Sequence, residues 1–175
     1  MRMQSGFTLV EMVMTVSIIL VLSTLAAPNF ITWINGYHLR AATSRLMMTL
    51  QQARLYAVKT NAKIVITFDP EDNGETNGNY EIFVDNGLGS GTLWTREPDE
   101  KLVKRDCISE GIQLHDVAFA GGKPRMRFSH LGLPNGFGGH IYLTNSKNQY
   151  LGIHVNITGN PRIVKSRDGT KGSWD

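Results

Sequence analysis

The chain has 175 residues, 41% of them hydrophobic, and a net charge of +3. That size and composition suit one domain with a sizeable core and exclude wholesale disorder. The single cysteine, Cys107, excludes an intramolecular disulfide and a multi-cysteine metal site, and is expected to be a packed or partly buried thiol.

Charge and hydrophobicity are both unevenly spread. Residues 38–65 carry Arg40, Arg45, Arg54, Lys59 and Lys63 and no acid; residues 66–120 have a net charge of −8, and residues 121–175 one of +6. The chain is a segmental dipole rather than a uniformly basic protein, and its order in sequence leaves open whether folding separates or interleaves the charges. From Phe7 to Ala27 there are 21 residues with one charge, Glu11.

The first six residues, Met-Arg-Met-Gln-Ser-Gly, are short, polar and basic, and the apolar run begins abruptly at Phe7. An ordinary secretory signal has its small cleavage-site residue after the apolar region. Here the small residue, Gly6, precedes it, so cutting there removes the leader and keeps the hydrophobic helix. About 20 apolar residues span a bilayer, which residues 7–27 satisfy. Arg2 then favours a cytoplasmic leader, with the head outside the inner membrane. Glu11 is the anomaly, because a carboxylate within a membrane helix costs on the order of 2.5–3.5 kcal/mol. A partner is expected, and an α-amino group freed at Phe7, its own or a neighbour's, is the obvious one. The plainer reading is a polar residue tolerated near the interface.

Gly6-Phe7-Thr8-Leu9-Val10-Glu11 resembles the class III signal of type IV pilins and type II secretion pseudopilins. The resemblance implies cleavage by a prepilin peptidase between Gly6 and Phe7, N-methylation of Phe7, and filament assembly through Glu11 with other pilins or pseudopilins. It also implies a single-pass inner-membrane protein with a periplasmic head. Pro28 falls where that family carries a helix-loosening proline; its alternative role is to end the membrane helix.

Beyond Pro28 a helical pattern resumes. Leu39, Thr43, Leu46, Leu50, Ala53 and Ala57 form an amphipathic stripe, with Arg40, Arg45, Arg54 and Lys59 mainly off it. The reading is a leader at 1–6, a helix over 7–60 with a break near Pro28 or Asn35-Gly36, and a β-rich head over 61–175. Strands are predicted at 63–69, 80–85, 101–105, 112–117, 125–129, 140–144, 150–157 and 161–165. Asn-Gly pairs at 73–74, 77–78, 86–87 and 135–136 supply turn signals. The fold class is therefore α+β, a long helix packed on an antiparallel sheet. Arg127-Phe128, Leu131-Gly132-Leu133-Pro134, and a hairpin with Gly159 before a basic strand resemble the H-type minor pseudopilins of the GspH/FimT family.

Other motifs favour plain readings. Residues 69–74, Asp-Pro-Glu-Asp-Asn-Gly, lack the twelfth-position acid of a calcium loop, where Tyr80 stands, and read as a solvated acidic loop. Residues 87–91 have neither the lysine nor the helix of a phosphate loop. The five histidines show no metal-ligand spacing, and no nucleophile elbow occurs, so neither a metal, a cofactor nor an enzyme is expected. Arg162, Lys165, Arg167 and Lys171 leave two readings open. One is a solvated basic edge. The other is DNA binding at a pilus tip, after relatives with a C-terminal Gly-Arg-x-Arg turn, from which Gly159-Asn160-Pro161-Arg162 departs at Asn160.

Overall fold

In a computed structural model of the chain the described residues are 6–70, 78–87, 94–134 and 138–169, without the side chains of 25–29 and 120. The chain divides into two compact units, Met1–Asn35 and Gly36–Asp175.

Helix α1 runs over Leu9–Thr60. The expected break does not occur: helical backbone continues through Pro28 and through Asn35-Gly36. A proline removes one intrahelical hydrogen bond, and a glycine costs about 1 kcal/mol relative to alanine. Neither outweighs a helix of this length, whose turns from Leu39 onward are packed in the head. In the first unit the helix carries large apolar side chains on every face, and among the described residues nearly all are exposed, Leu9, Val13, Ile18, Leu20 and Leu22 among them.

The second unit joins the later turns of α1 to eight strands: β1 Lys63–Asp69, β2 Asn79–Asp85, β3 Leu102–Cys107, β4 Ile112–Ala118, β5 Arg125–Phe128, β6 Gly139–Asn145, β7 Tyr150–Val155 and β8 Pro161–Ser166. The antiparallel head consists of two sheets rather than one, ordered β3-β2-β1-β5 and β4-β6-β7-β8. The stripe Leu39, Thr43, Leu46, Leu50, Ala53 and Ala57 is wholly buried. It meets Ile64, Ile66 and Phe68 of β1 and Ile141, Leu143 and Ile153 of β6 and β7 in one core. Alternation explains the choice: successive strand residues face opposite sides, so one set of β1, β6 and β7 residues reaches the helix while its neighbours face away.

The outer face of the first sheet is covered as well. Val65 and Phe83 pair across β1 and β2 and are buried, away from the helix-facing residues. Beside them Arg127 of β5 donates to Asp85 Oδ2 at 3.1 Å and lies 5.0 Å from the ring centre of Trp94. Glu100 holds the covering segment by accepting from the Asn86 and Glu97 amides, at 3.2 and 3.0 Å.

Folding interleaves the charged segments. Arg45 of the basic helix donates to Asp106 of the acidic segment at 2.8 Å, and Lys104 reaches the same carboxylate at 3.0 Å. Burial works to raise the Asp106 pKa, but the Lys104 hydrogen bond and the positive charges of Arg45 and Lys104 outweigh it and hold the carboxyl below its usual value. Cys107, expected to be packed, is exposed. It ends β3, an edge strand, at a position whose side chain points away from the core. Residues 71–77 of the acidic loop, 88–93 of the glycine-rich loop, the Asn135-Gly136 turn, leader residues 1–5 and Lys171 lie outside the described residues.

Candidate functional site: the N-terminal segment and the basic edge

The N-terminal segment has a defined start. Phe7 and Thr8 precede the helix, and Thr8 Oγ1 accepts the Glu11 amide hydrogen at 3.3 Å. Thr8 is thus the N-cap, and Thr8-Leu9-Val10-Glu11 has the spacing of a capping box, with the acid in the first turn. Sequence reasoning overlooked Thr8, although that four-residue spacing was the signal for it. The positive end of the helix favours the Glu11 carboxylate by about 0.3–1 kcal/mol. That is well short of the 2.5–3.5 kcal/mol estimated for a carboxylate at membrane depth. The cap thus offsets only part of the cost that a carboxylate bears at membrane depth.

Gly6 is exposed, and a Cβ built on it would meet nothing within 4 Å. The fold therefore has no steric use for glycine at that position. A requirement for glycine there would have to come from whatever recognises the chain.

The hydroxyl groups of this helix are satisfied within it. Thr15 donates to Met12 O, Ser17 to Val13 O, Ser23 to Ile19 O and Thr24 to Val21 O, at 2.7–2.9 Å. Back-bonding of this kind hides hydroxyls from an apolar surrounding. A helix that is apolar all round is the pattern of one that is itself to be surrounded. Among the described residues no helix is long and apolar enough to cross a membrane. The side chains of residues 25–27 in this run, and that of Pro28, lie outside the described residues.

On the head, β8 separates the basic residues grouped by sequence. Arg162 pairs with His154, on the sheet face away from the core, beside the stack of His140, Tyr142 and His154. Lys165 pairs with Leu151 on the other face. Lys165 and Arg167 line a groove together with Arg40 of α1, which lies far from them in sequence. Only the sheet register and the packing of α1 bring Arg40 there, so no spacing signal could have revealed it. Asn160, the departure from the Gly-Arg-x-Arg turn, has a structural task. Arg54 Nη1 donates to its Oδ1 at 2.6 Å and to Gly159 O at 3.3 Å, tying the turn to the helix. Gly159 has φ +79° and its Cβ position lies 2.9 Å from Gly132 O, so this turn does require glycine.

In the stack, Asp116 Oδ2 lies 3.0 Å from His140 Nε2, and the Tyr142 hydroxyl lies 3.0 Å from His154 Nε2. Burial, then repulsion from His140 and Arg162, lowers the His154 pKa; burial and the Asp116 charge raise that of Tyr142. Among the described residues no cluster of three His, Cys, Asp or Glu residues is arranged to hold a metal ion.

A family model described as type II transport protein GspH matches residues 42–159, and one for the prokaryotic N-terminal methylation motif matches residues 1–27. The fold resembles the minor pseudopilin EpsH from the type 2 secretion system of Vibrio cholerae, with a TM-score of 0.53, 11% identity, and coverage of 73% of this chain and 97% of that one. It also resembles the type IV minor pilin FimU of Pseudomonas aeruginosa PAO1, with a TM-score of 0.50, 12% identity, and coverage of 79% and 95%. A second crystal form of FimU gives 0.50, 15%, 71% and 91%. No curated protein matches the chain. At these identities the solved structures speak for the pilin-like α+β fold, and the family follows from the match over 42–159: the chain belongs to the type II transport protein GspH family and carries the prokaryotic N-terminal methylation motif.

Proposed function

We propose that the chain is a minor subunit of a type II secretion pseudopilus or a type IV pilus, made in the bacterial inner membrane and built into the filament at its tip or during initiation. It is a structural pilin-like subunit, not an enzyme. The observation that carries the reading is the helix of the first unit, apolar and exposed on every face, capped at Thr8 with Glu11 as its lone charge. In the membrane, residues 7–27 span the inner leaflet to the outer one, and the head lies in the periplasm. A prepilin peptidase cuts between Gly6 and Phe7, and Phe7 is N-methylated. The new ammonium group at Phe7 of a neighbouring subunit meets Glu11, satisfying the carboxylate at the moment the helix moves from lipid into the filament core. Pro28 loosens the helix so that it can follow its neighbours there.

The test is mass spectrometry of the N-terminal peptide from cells with and without the prepilin peptidase. The reading expects N-methylated Phe7 as first residue when the peptidase is present, and residues 1–6 retained when it is absent or when Gly6 is replaced by Val. A leader retained in wild-type cells refutes it. Deleting the gene and scoring surface pili and secreted proteins in one strain separates pilus from pseudopilus. A DNA receptor, the alternative reading, has Lys165 and Arg167 on one face among the described residues, because Arg162 lies on the opposite face of β8.

A further inference from the structure

Three cations line one groove of about 310 Å³: Lys165 from β8, Arg167 from the bend after it and, from the distant helix α1, Arg40. No carboxylate is among the described residues that line it. Among the described residues none of the three forms an ion pair, whereas Arg45, Arg96, Lys104, Arg105 and Arg127 all do. The nearby acid, Asp168, accepts from Ser166 Oγ at 3.4 Å and does not line the groove.

The polar wall is fixed in place. Asn145 Nδ2 donates to Gln149 Oε1 at 2.8 Å, and Asn145 Oδ1 accepts from the Lys147 and Gln149 amides at 3.0 and 3.1 Å. Gln149 in turn lies against Gly36, where a Cβ would stand 3.3 Å from Oε1. The groove is therefore bounded by a braced hairpin on one side and helix α1 on the other, with Asn148 and Gln149 among its lining residues.

We propose that this groove docks a carboxylate-bearing segment of a neighbouring filament subunit, an inference that rests on the subunit reading above. Like charges held together repel, and an anion between them relieves that repulsion. Two guanidinium forks and an ammonium suit carboxylates, which accept paired hydrogen bonds from arginine. The volume suits one or two side chains. Nucleic acid is the less fitting occupant, because tracking a phosphate backbone takes a continuous line of cations, and the strand's third basic residue, Arg162, points to the other sheet face. Charge complementarity between subunits sets register and rejects wrong neighbours.

The experiment titrates the full-length chain in neutral detergent with fluorescein-labelled acetyl-Gly-Asp-Glu-Asp-Glu-Gly peptide at low salt, read by fluorescence anisotropy. Arg40→Gln, Lys165→Gln and Arg167→Gln should each weaken binding about two- to fivefold, the range for partly exposed charge pairs, and the triple variant about tenfold or more. Arg162→Gln should leave it unchanged, and all variants should melt as the wild type does. Equal binding of the Asn/Gln version of the peptide overturns the proposal. So does an equal loss in Arg162→Gln, or tighter binding of a short single-stranded oligonucleotide through the same three residues. N-terminal processing, scored on the same variants in cells, is independent of the groove. An uncut leader defeats the subunit reading, while unchanged peptide binding in the triple variant defeats the docking site alone.

Discussion

Two leucines on one helix make a controlled test of how the head is held together. Leu50 is 1% exposed in the core, and Leu55, five residues on, is 68% exposed. Truncating either to alanine changes helix propensity little, and in the favourable direction, so the difference between them isolates burial. Leu50→Ala should cost about 2–5 kcal/mol, from lost apolar burial and the cavity left between α1 and the two sheets. For a chain of this size about 1 kcal/mol moves the melting midpoint by about 2–4 °C, so a mid-range loss of about 3 kcal/mol lowers it by about 6–12 °C. Leu55→Ala should fall within about 0.5 kcal/mol of wild type. Circular dichroism melts of the full-length protein in detergent read both. Equal shifts for the two variants would refute the assignment of the helix face that carries the head.

Three further outcomes follow from other contacts. Arg127→Met leaves Asp85 without its cation under the covering segment and should destabilise the head by roughly 3 kcal/mol, the low end for a buried pair because both side chains keep some water contact; chemical denaturation checks it. The His154 pKa is lowered from 6.5, so the unfolded chain binds the proton more readily, and stability present above 6.5 is lost as pH falls through the folded value. Protonation there faces His140 and Arg162 with Asp116 and Tyr142 beside them, and His154→Phe should flatten the acid side of the melting profile. Glu11→Leu should be cleaved normally and fail to enter filaments, measured by N-terminal mass spectrometry and sheared-filament yield; normal incorporation would sink the pairing with the Phe7 ammonium.

The parts of the fold visible in the sequence are those governed by local period. The stripe from Leu39 to Ala57 repeats at helical spacing, and each member is buried. Strands were expected close to each of the eight observed, because β-branched alternation and turn residues act within a few neighbours. The division into two sheets was not visible, since it depends on β1 pairing with β5 across the intervening β2, β3 and β4. The expected break at Gly36 failed for a tertiary reason. Glycine there signals a weak point when only local propensity is weighed, yet it is the place where Gln149 comes within 3.3 Å of a missing Cβ, so close packing supplies what propensity lacks.

The basic edge shows the same limit from the functional side. Arg162, Lys165 and Arg167 lie close enough in sequence to be read as one patch, but strand alternation sends Arg162 to the imidazole face and Lys165 to the groove. The cation that completes the groove, Arg40, belongs to the helix and enters through tertiary packing alone. Composition can therefore count the positive charges of such a head and still misplace its anion site. The relevant variable is which face of β8 each charge occupies. Exchanging Val164 and Lys165 tests that directly: it preserves net charge and composition, removes one cation from the groove, and should weaken acidic-peptide binding as Lys165→Gln does. The exchange also moves the buried Val164 off the sheet face where Gly152 and Tyr142 pack, so a melt beside the titration separates a lost charge from a disturbed strand. Retained affinity in a folded exchange variant would show that total charge, not its placement, governs binding.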